Sequence, residues 1–140
     1  MIKIKSQISA DFIIVLTIAL AVFLAVFVIS DQRSTILDSY RVRLYAKQEA
    51  DALSSEINSV FLAGDGTNKI VFLPATLKDN TPYNITVYPS GHTVSIEYYF
   101  NSVKKNYEST IITANVSGNI SGISGQVKLS NVKGGVIIEK

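Results

Sequence analysis

Residues Phe12–Ile29 read F-I-I-V-L-T-I-A-L-A-V-F-L-A-V-F-V-I, and Thr17 is the only polar side chain among them. The run contains no charge, glycine or proline. As a helix rising about 1.5 Å per residue it covers roughly 27 Å, close to the hydrocarbon thickness of a bilayer. Such a segment is apolar around its whole circumference and cannot face water. Either lipid or other apolar helices must solvate it, and the rest of the chain has to be compatible with one or both.

The residues before the run, Met1–Ser6, are M-I-K-I-K-S. A secretory signal would place small residues in an A-x-A-like pattern after the apolar stretch. Here Ser30-Asp31-Gln32-Arg33 follow instead, so the apolar segment is expected to stay in the mature chain. Lys3 and Lys5 put the N-terminus on the cytoplasmic side and residues 30 onward outside. Arg33, Arg41 and Arg43 weigh against that orientation, offset by Asp31, Asp38 and their greater distance. The same two lysines account for the net charge of +2; beyond them positive and negative residues balance. No basic patch points to nucleic acid. The chain has no cysteine, which excludes disulfides and thiolate metal sites, and its single histidine, His92, excludes a multi-histidine site.

From Ser30 to Ala63 the pattern becomes amphipathic. Ile36, Leu37, Tyr40, Leu44, Leu53, Ile57, Val60 and Phe61 recur at helical spacing, with Ala46, Ala50 and Ala52 between them and charged residues elsewhere. No glycine or proline precedes Gly64, which supplies a C-terminal stop. One helix is expected from about Ser9 to about Ala63, on the order of 80 Å long. Ser30-Asp31 is the place for a bend or break. Ser9 is the expected N-cap, and Asp11 falls in the first turn, where a carboxylate complements the helix dipole.

All eight glycines and all three prolines lie in residues 64–140, and alternating patterns replace helical ones there. Strands are expected at Ile70–Leu73, Tyr83–Tyr88, Thr93–Phe100, Glu108–Ala114, Gln126–Leu129 and Val136–Glu139, with a polar turn at Asn101–Asn106. Asn115–Gly125, a short repeat of turn residues, is expected to be a surface loop. The fold class is α+β: a long helix, apolar and then amphipathic, followed by a small antiparallel sheet or sandwich. The sheet should pack its apolar face on the distal half of the helix, because so small a sheet otherwise lacks a cover.

The junction Lys5-Ser6-Gln7-Ile8-Ser9-Ala10-Asp11-Phe12 resembles the class III signal peptide of archaeal type IV pilins. That family has a short basic leader, then Gln-x-Ser-x-acidic, then an uninterrupted apolar helix; Gln7, Ser9 and Asp11 match in order. Asp11 departs from the usual glutamate by one methylene. The matching stretch is short, but it stands directly before the apolar run. The resemblance implies a prepilin peptidase cutting between Ser6 and Gln7 at the cytoplasmic membrane face. It also implies a leader at 1–6, a helix at 7–63 whose residues 12–29 form the membrane span and later the filament core, and a β-rich head at 64–140. It further implies a homo-oligomeric helical filament built by pilus assembly machinery, a membrane location before assembly, a cell-surface location after it, and a host or abiotic surface as target. In such a filament Asp11 would neutralise the new α-amino group of an adjacent subunit, since a buried charge is tolerable only when paired. Minor pilins and archaellum filament proteins share the layout. The rival of another class is a single-span membrane protein with an outer binding domain.

Three Asn-x-Ser/Thr triplets, at Asn84, Asn115 and Asn119, are possible N-glycan acceptors on an exported surface. No catalytic constellation, metal site or cofactor motif stands out, and the chain is not expected to be an enzyme. His92 is expected in an exposed turn, and Lys133-Gly134-Gly135 lacks the rest of a phosphate loop.

Overall fold

The computed structural model describes residues 2–140, except for the side chains of residues 2–9 and of Asp79. The chain divides into two compact units, Met1–Asp38 and Ser39–Lys140. Helix α1 runs without interruption over Ile2–Ala63, so the unit boundary falls inside it. No break occurs at Ser30-Asp31, which corrects the sequence expectation. Neither residue removes a backbone donor, and Thr35 Oγ1 donates back to the Asp31 carbonyl at 3.3 Å. The helix also begins before Ser9. Ser9 is therefore an interior helix residue rather than an N-cap, and its side chain lies outside the described residues.

The second unit is built on the distal part of α1. Val42, Ala46, Ala50, Leu53, Ile57 and Val60 form one buried stripe at four- and three-residue steps. Ala46 and Ala50 are both fully buried in it. Around this stripe lie seven strands: β1 (Asn68–Leu73), β2 (Tyr83–Tyr88), β3 (Thr93–Phe100), β4 (Val103–Thr110), β5 (Val116–Gly118), β6 (Gly125–Val132) and β7 (Gly135–Glu139). They form a four-stranded sheet in the order β1-β6-β7-β5 and a three-stranded sheet in the order β2-β3-β4. All pairings are antiparallel except the three-residue β5–β7 ladder, which is parallel. The inward-facing residues Ile85, Val87, Val94, Ile96, Val127, Leu129, Val136 and Ile138 close a single core with the helix stripe. The expected α+β class and the helix cover for the sheets are both present.

The strand bounds expected at Tyr83–Tyr88 and Thr93–Phe100 are reproduced, but Ser95, on the expected polar face of the second strand, is buried. The polar turn expected over Asn101–Asn106 is much shorter. Asn101 and Ser102 both take positive φ, 49° and 63°, and make a two-residue hairpin connection. Lys104 and Lys105 therefore belong to β4, at an exposed sheet edge where polar residues are at home. Asn115–Gly125 is less loop-like than expected, because Val116–Gly118 pairs with β7. The next residues follow the free edge of β2: Val87 N–H donates to the Ile120 carbonyl at 2.7 Å, and Ile123 N–H to that of Ile85 at 3.3 Å.

Polar side chains of α1 hold the strands at their ends. Ser54 and Ser109 share a hydroxyl hydrogen bond of 2.8 Å. Asn58 Oδ1 accepts from Ile112 N–H at 2.8 Å, just past β4. Lys69 of β1 reaches back to an ion pair with Glu56.

Candidate functional site

The feature that separates this chain from an ordinary small α+β domain lies in its first unit. Every large apolar side chain from Phe12 to Ile29 keeps between 52% and 67% of its surface exposed. The segment is thus uncovered on all faces, and it is the one helix, among the described residues, long and apolar enough to cross a membrane. Its single polar side chain is already satisfied: Thr17 Oγ1 donates to the Ile13 carbonyl at 2.8 Å. That bond removes the cost of taking a free hydroxyl into lipid or into a packed helix bundle.

The residues expected to carry processing lie immediately upstream. Lys5, Ser6, Gln7 and Ser9 belong to α1 by their backbone, and their side chains lie outside the described residues. Asp11 is described and exposed, and among the described residues it makes no ion pair.

The three sequons are placed unequally in the second unit. Asn84 is exposed on the outward face of β2, opposite Glu97 of β3, and its side-chain amide makes no hydrogen bond among the described residues. Asn119 is half-buried at the end of β5, where its backbone N–H donates to the Ile138 carbonyl at 2.8 Å. The third residues of these two triplets, Thr86 and Ser121, are paired across an isolated β-bridge, so the Asn84 and Asn119 sequons are brought together. Asn115 stands apart. Its Nδ2, the atom a glycan would occupy, lies at 3.5 Å from the Gly134 carbonyl. The same side chain lies over Gly135, where an added Cβ would come within 2.7 Å of Nδ2.

A second feature was not legible from sequence. Tyr45 and Glu49, one turn apart on α1, line a cleft of about 330 Å³ with Pro74, Thr76, Leu77 and Lys78. The Lys78 ammonium sits 5.2 Å from the centre of the Tyr45 ring. Tyr83 donates its hydroxyl to the Pro74 carbonyl and fixes that loop. Burial raises the Glu49 carboxyl above its ordinary value. Burial, and then the nearby Glu49 charge, push the Tyr83 phenol up to about 12. The components come from helix and loop positions far apart in the chain, with no local motif to announce them.

Other polar residues are accounted for locally. His92 takes φ 54° at the end of a short 3-10 turn, Pro89–Gly91, and is exposed as expected. Lys104 pairs with Glu97 at 2.9 Å, and that hydrogen bond and charge raise its ammonium pKa. Lys133 and Gly134, both at positive φ, form the β6–β7 hairpin turn. Among the described residues no group of three or more His, Cys, Asp or Glu is placed to hold a metal ion.

Comparison with protein-family models, with curated proteins and with solved structures gives no match for this chain.

Proposed function

We propose that this chain is the structural subunit of an archaeal adhesive type IV pilus, made as a membrane precursor, cut between Ser6 and Gln7, and polymerised through α1. The observation that carries this reading is the uncovered apolar surface from Phe12 to Ile29, on a helix that continues unbroken into the core of a β-rich unit. A simple anchor gains nothing from that continuation. A subunit that leaves the bilayer needs a new apolar surrounding for its stem, and neighbouring stems supply one. Contacts between unlike surfaces of identical copies do not close on themselves and generate an open helical assembly.

In this reading Gln7 becomes the first residue, and Ser9 and Asp11 fall in the first turn of the shortened helix. Asp11 there neutralises the α-amino group of an adjacent copy. The second unit forms the outer surface, makes the contacts with a host or abiotic surface, and carries N-glycan at Asn84. It has no catalytic role. Negative-stain microscopy of material shed by cells producing the native chain tests the assignment. Thin filaments containing this chain are expected. A chain found only in the membrane fraction, with no filaments, overturns it.

The alternative is a single-span membrane protein whose outer unit binds a partner. The observation that favours it is that the same segment suffices, by length and hydropathy, to cross a bilayer. It requires neither processing nor assembly.

A further inference from the structure

The cleft beside Tyr45 holds two opposite charges that do not meet. Glu49 lines it from α1, and Lys78 lines it from the short 3-10 turn Lys78–Asn80. Lys78 turns to Tyr45 instead of Glu49: its ammonium lies 5.2 Å from the ring centre and donates to the Tyr45 hydroxyl at 3.4 Å. Among the described residues no cation comes within ion-pairing distance of Glu49, and its carboxyl accepts no hydrogen bond. Half-buried, that carboxyl has lost part of its water without gaining a partner, which is why its proton affinity rises. Tyr83 feels the Glu49 charge but does not relieve it, because its hydroxyl donates to the Pro74 carbonyl. A partly desolvated charge without a partner is costly to keep. Between the two charges the walls are apolar, formed by the Tyr45 ring, Pro74 and the buried Leu77. The space of about 330 Å³ lies at the small end of the range for ligand pockets.

We propose that this cleft binds a small aliphatic α-amino acid as a zwitterion, with its ammonium on Glu49, its carboxylate on Lys78 and its side chain against Tyr45, Pro74 and Leu77. Simpler ligands match the walls less well. A plain anion meets the Glu49 charge, a plain cation meets the Lys78 charge, and a neutral apolar molecule leaves both unmatched. A molecule carrying both signs next to an apolar group is complementary to all three parts. The Tyr45 ring and hydroxyl hold the Lys78 ammonium at the wall, so its charge is in place before a ligand arrives. Lys78 is exposed and screened by water, whereas Glu49 is half-buried, so Glu49 carries the larger share of the recognition. The proposal goes beyond the pilus assignment and does not depend on it, because every part of the cleft belongs to the second unit.

Equilibrium dialysis of radiolabelled leucine against the full-length, detergent-solubilised chain at neutral pH tests this. Leucine is expected to bind saturably. Leucinamide lacks the carboxylate and N-acetylleucine lacks the cation, and each is expected to compete at least about tenfold less well, a difference of roughly 1.4 kcal/mol. Glu49→Gln keeps the size of the side chain and removes a buried charge, so it is expected to fold at least as stably as the wild type while binding leucine at least about tenfold more weakly. Lys78→Gln is expected to weaken leucine binding and to abolish the advantage of leucine over leucinamide. Absence of saturable binding, unchanged affinity in Glu49→Gln, or leucinamide matching leucine on the wild type overturns the proposal. Each of those results leaves the pilus assignment standing, and a chain that forms no filaments but binds leucine in this pattern leaves the proposal standing.

Discussion

Asn131 of β6 donates its side-chain amide to the Val60 carbonyl at 3.0 Å, and the same nitrogen reaches the Phe61 carbonyl at 3.0 Å. The last carbonyls of a helix have no partner within it. Here a side chain from a strand some seventy residues later provides one, and Asn131 is only 2% exposed. Its Oδ1 also accepts from Gly134 N–H at 3.2 Å, in the β6–β7 turn. One amide thus joins the end of α1 to the hairpin.

Removing that amide should be costly. Asn131→Ala takes the side-chain donor from the Val60 carbonyl, while the Phe61 carbonyl keeps the Gly64 N–H at 3.3 Å, and it is expected to destabilise the second unit by about 1–3 kcal/mol. Asn131→Asp should cost more, because it sets a carboxylate against the negative end of the helix. Thermal unfolding of the detergent-solubilised chain, followed by the near-ultraviolet signal of its tyrosines, measures both. Equal midpoints for the wild type and Asn131→Asp contradict the capping role.

Gly118 tests the parallel β5–β7 ladder. Its φ is +91°, and an added Cβ would stand 2.2 Å from the Ile138 carbonyl oxygen. Gly66 has a similar φ of +85°, with nothing near the same position. Gly66→Ala therefore carries backbone strain alone, on the order of 1 kcal/mol. Gly118→Ala adds a collision with backbone and should lower the unfolding midpoint clearly further. Matching losses for the two variants would show that the β5–β7 approach is looser than described.

The pH dependence follows from the cleft. Burial raises Glu49 above 4.5, so the folded state holds that proton more tightly than the unfolded chain does. The associated stability is present below the unfolded value and is lost as pH rises through the folded one. Glu49→Gln should raise the unfolding midpoint at neutral pH, and the gain should shrink as pH falls toward 4.5. Tyr83, pushed from 10.0 up to about 12, acts in the same sense at the alkaline end. Its contribution is complete below pH 10.0 and fades as pH rises toward about 12. In an alkaline titration Tyr83 and Tyr98, both raised by burial, should ionise late, and Tyr83→Phe should remove one of these late steps.

Sequon usage should follow geometry. Asn84 has a free, exposed amide, whereas the Asn115 amide is held against Gly134 and Gly135. Intact-mass measurement of the native chain should show a glycan increment that Asn84→Gln removes and Asn115→Gln leaves in place. A mass equal to the bare chain, or an increment lost only with Asn115, contradicts this assignment.

The amino-acid order carries much of this architecture. Alternation at Tyr83–Tyr88 reads directly because Ile85 and Val87 meet the core while Asn84 and Tyr88 are exposed; in Thr93–Phe100 it holds except at Ser95, which is buried. The C-terminal limit of α1 reads directly because no glycine or proline precedes Gly64, whereas its start lies ahead of the expected Ser9. Helical spacing alone groups Ile36, Leu37, Tyr40 and Leu44 with Leu53, Ile57 and Val60, but the first four are exposed and the buried stripe starts at Val42. A one-dimensional pattern records spacing and not which side the sheet will take. Lys104 and Lys105 read as a turn because an exposed edge strand has the composition of a loop. The Tyr45–Glu49–Tyr83 cleft and the Asn131 cap are invisible to local reading, since each joins residues brought together only by the packed fold. Gln7, Ser9 and Asp11 are the reverse case: they are conspicuous as letters, and the role proposed for them depends on an enzyme and on neighbouring copies.

Asp11→Ala separates insertion from assembly. The variant should be expressed and inserted as well as the wild type, because the apolar segment is unchanged. Filament number should fall sharply, because the α-amino group of the neighbouring copy loses its counter-charge. Normal filament numbers by negative-stain microscopy would remove Asp11 from the assembly mechanism.

N-terminal sequencing of the native chain, recovered from shed filaments, bears most directly on the whole account. The mature chain is predicted to begin Gln7-Ile8-Ser9-Ala10-Asp11, with the leader through Ser6 gone. A chain that still begins at Met1, or one cut after Ile29, contradicts it.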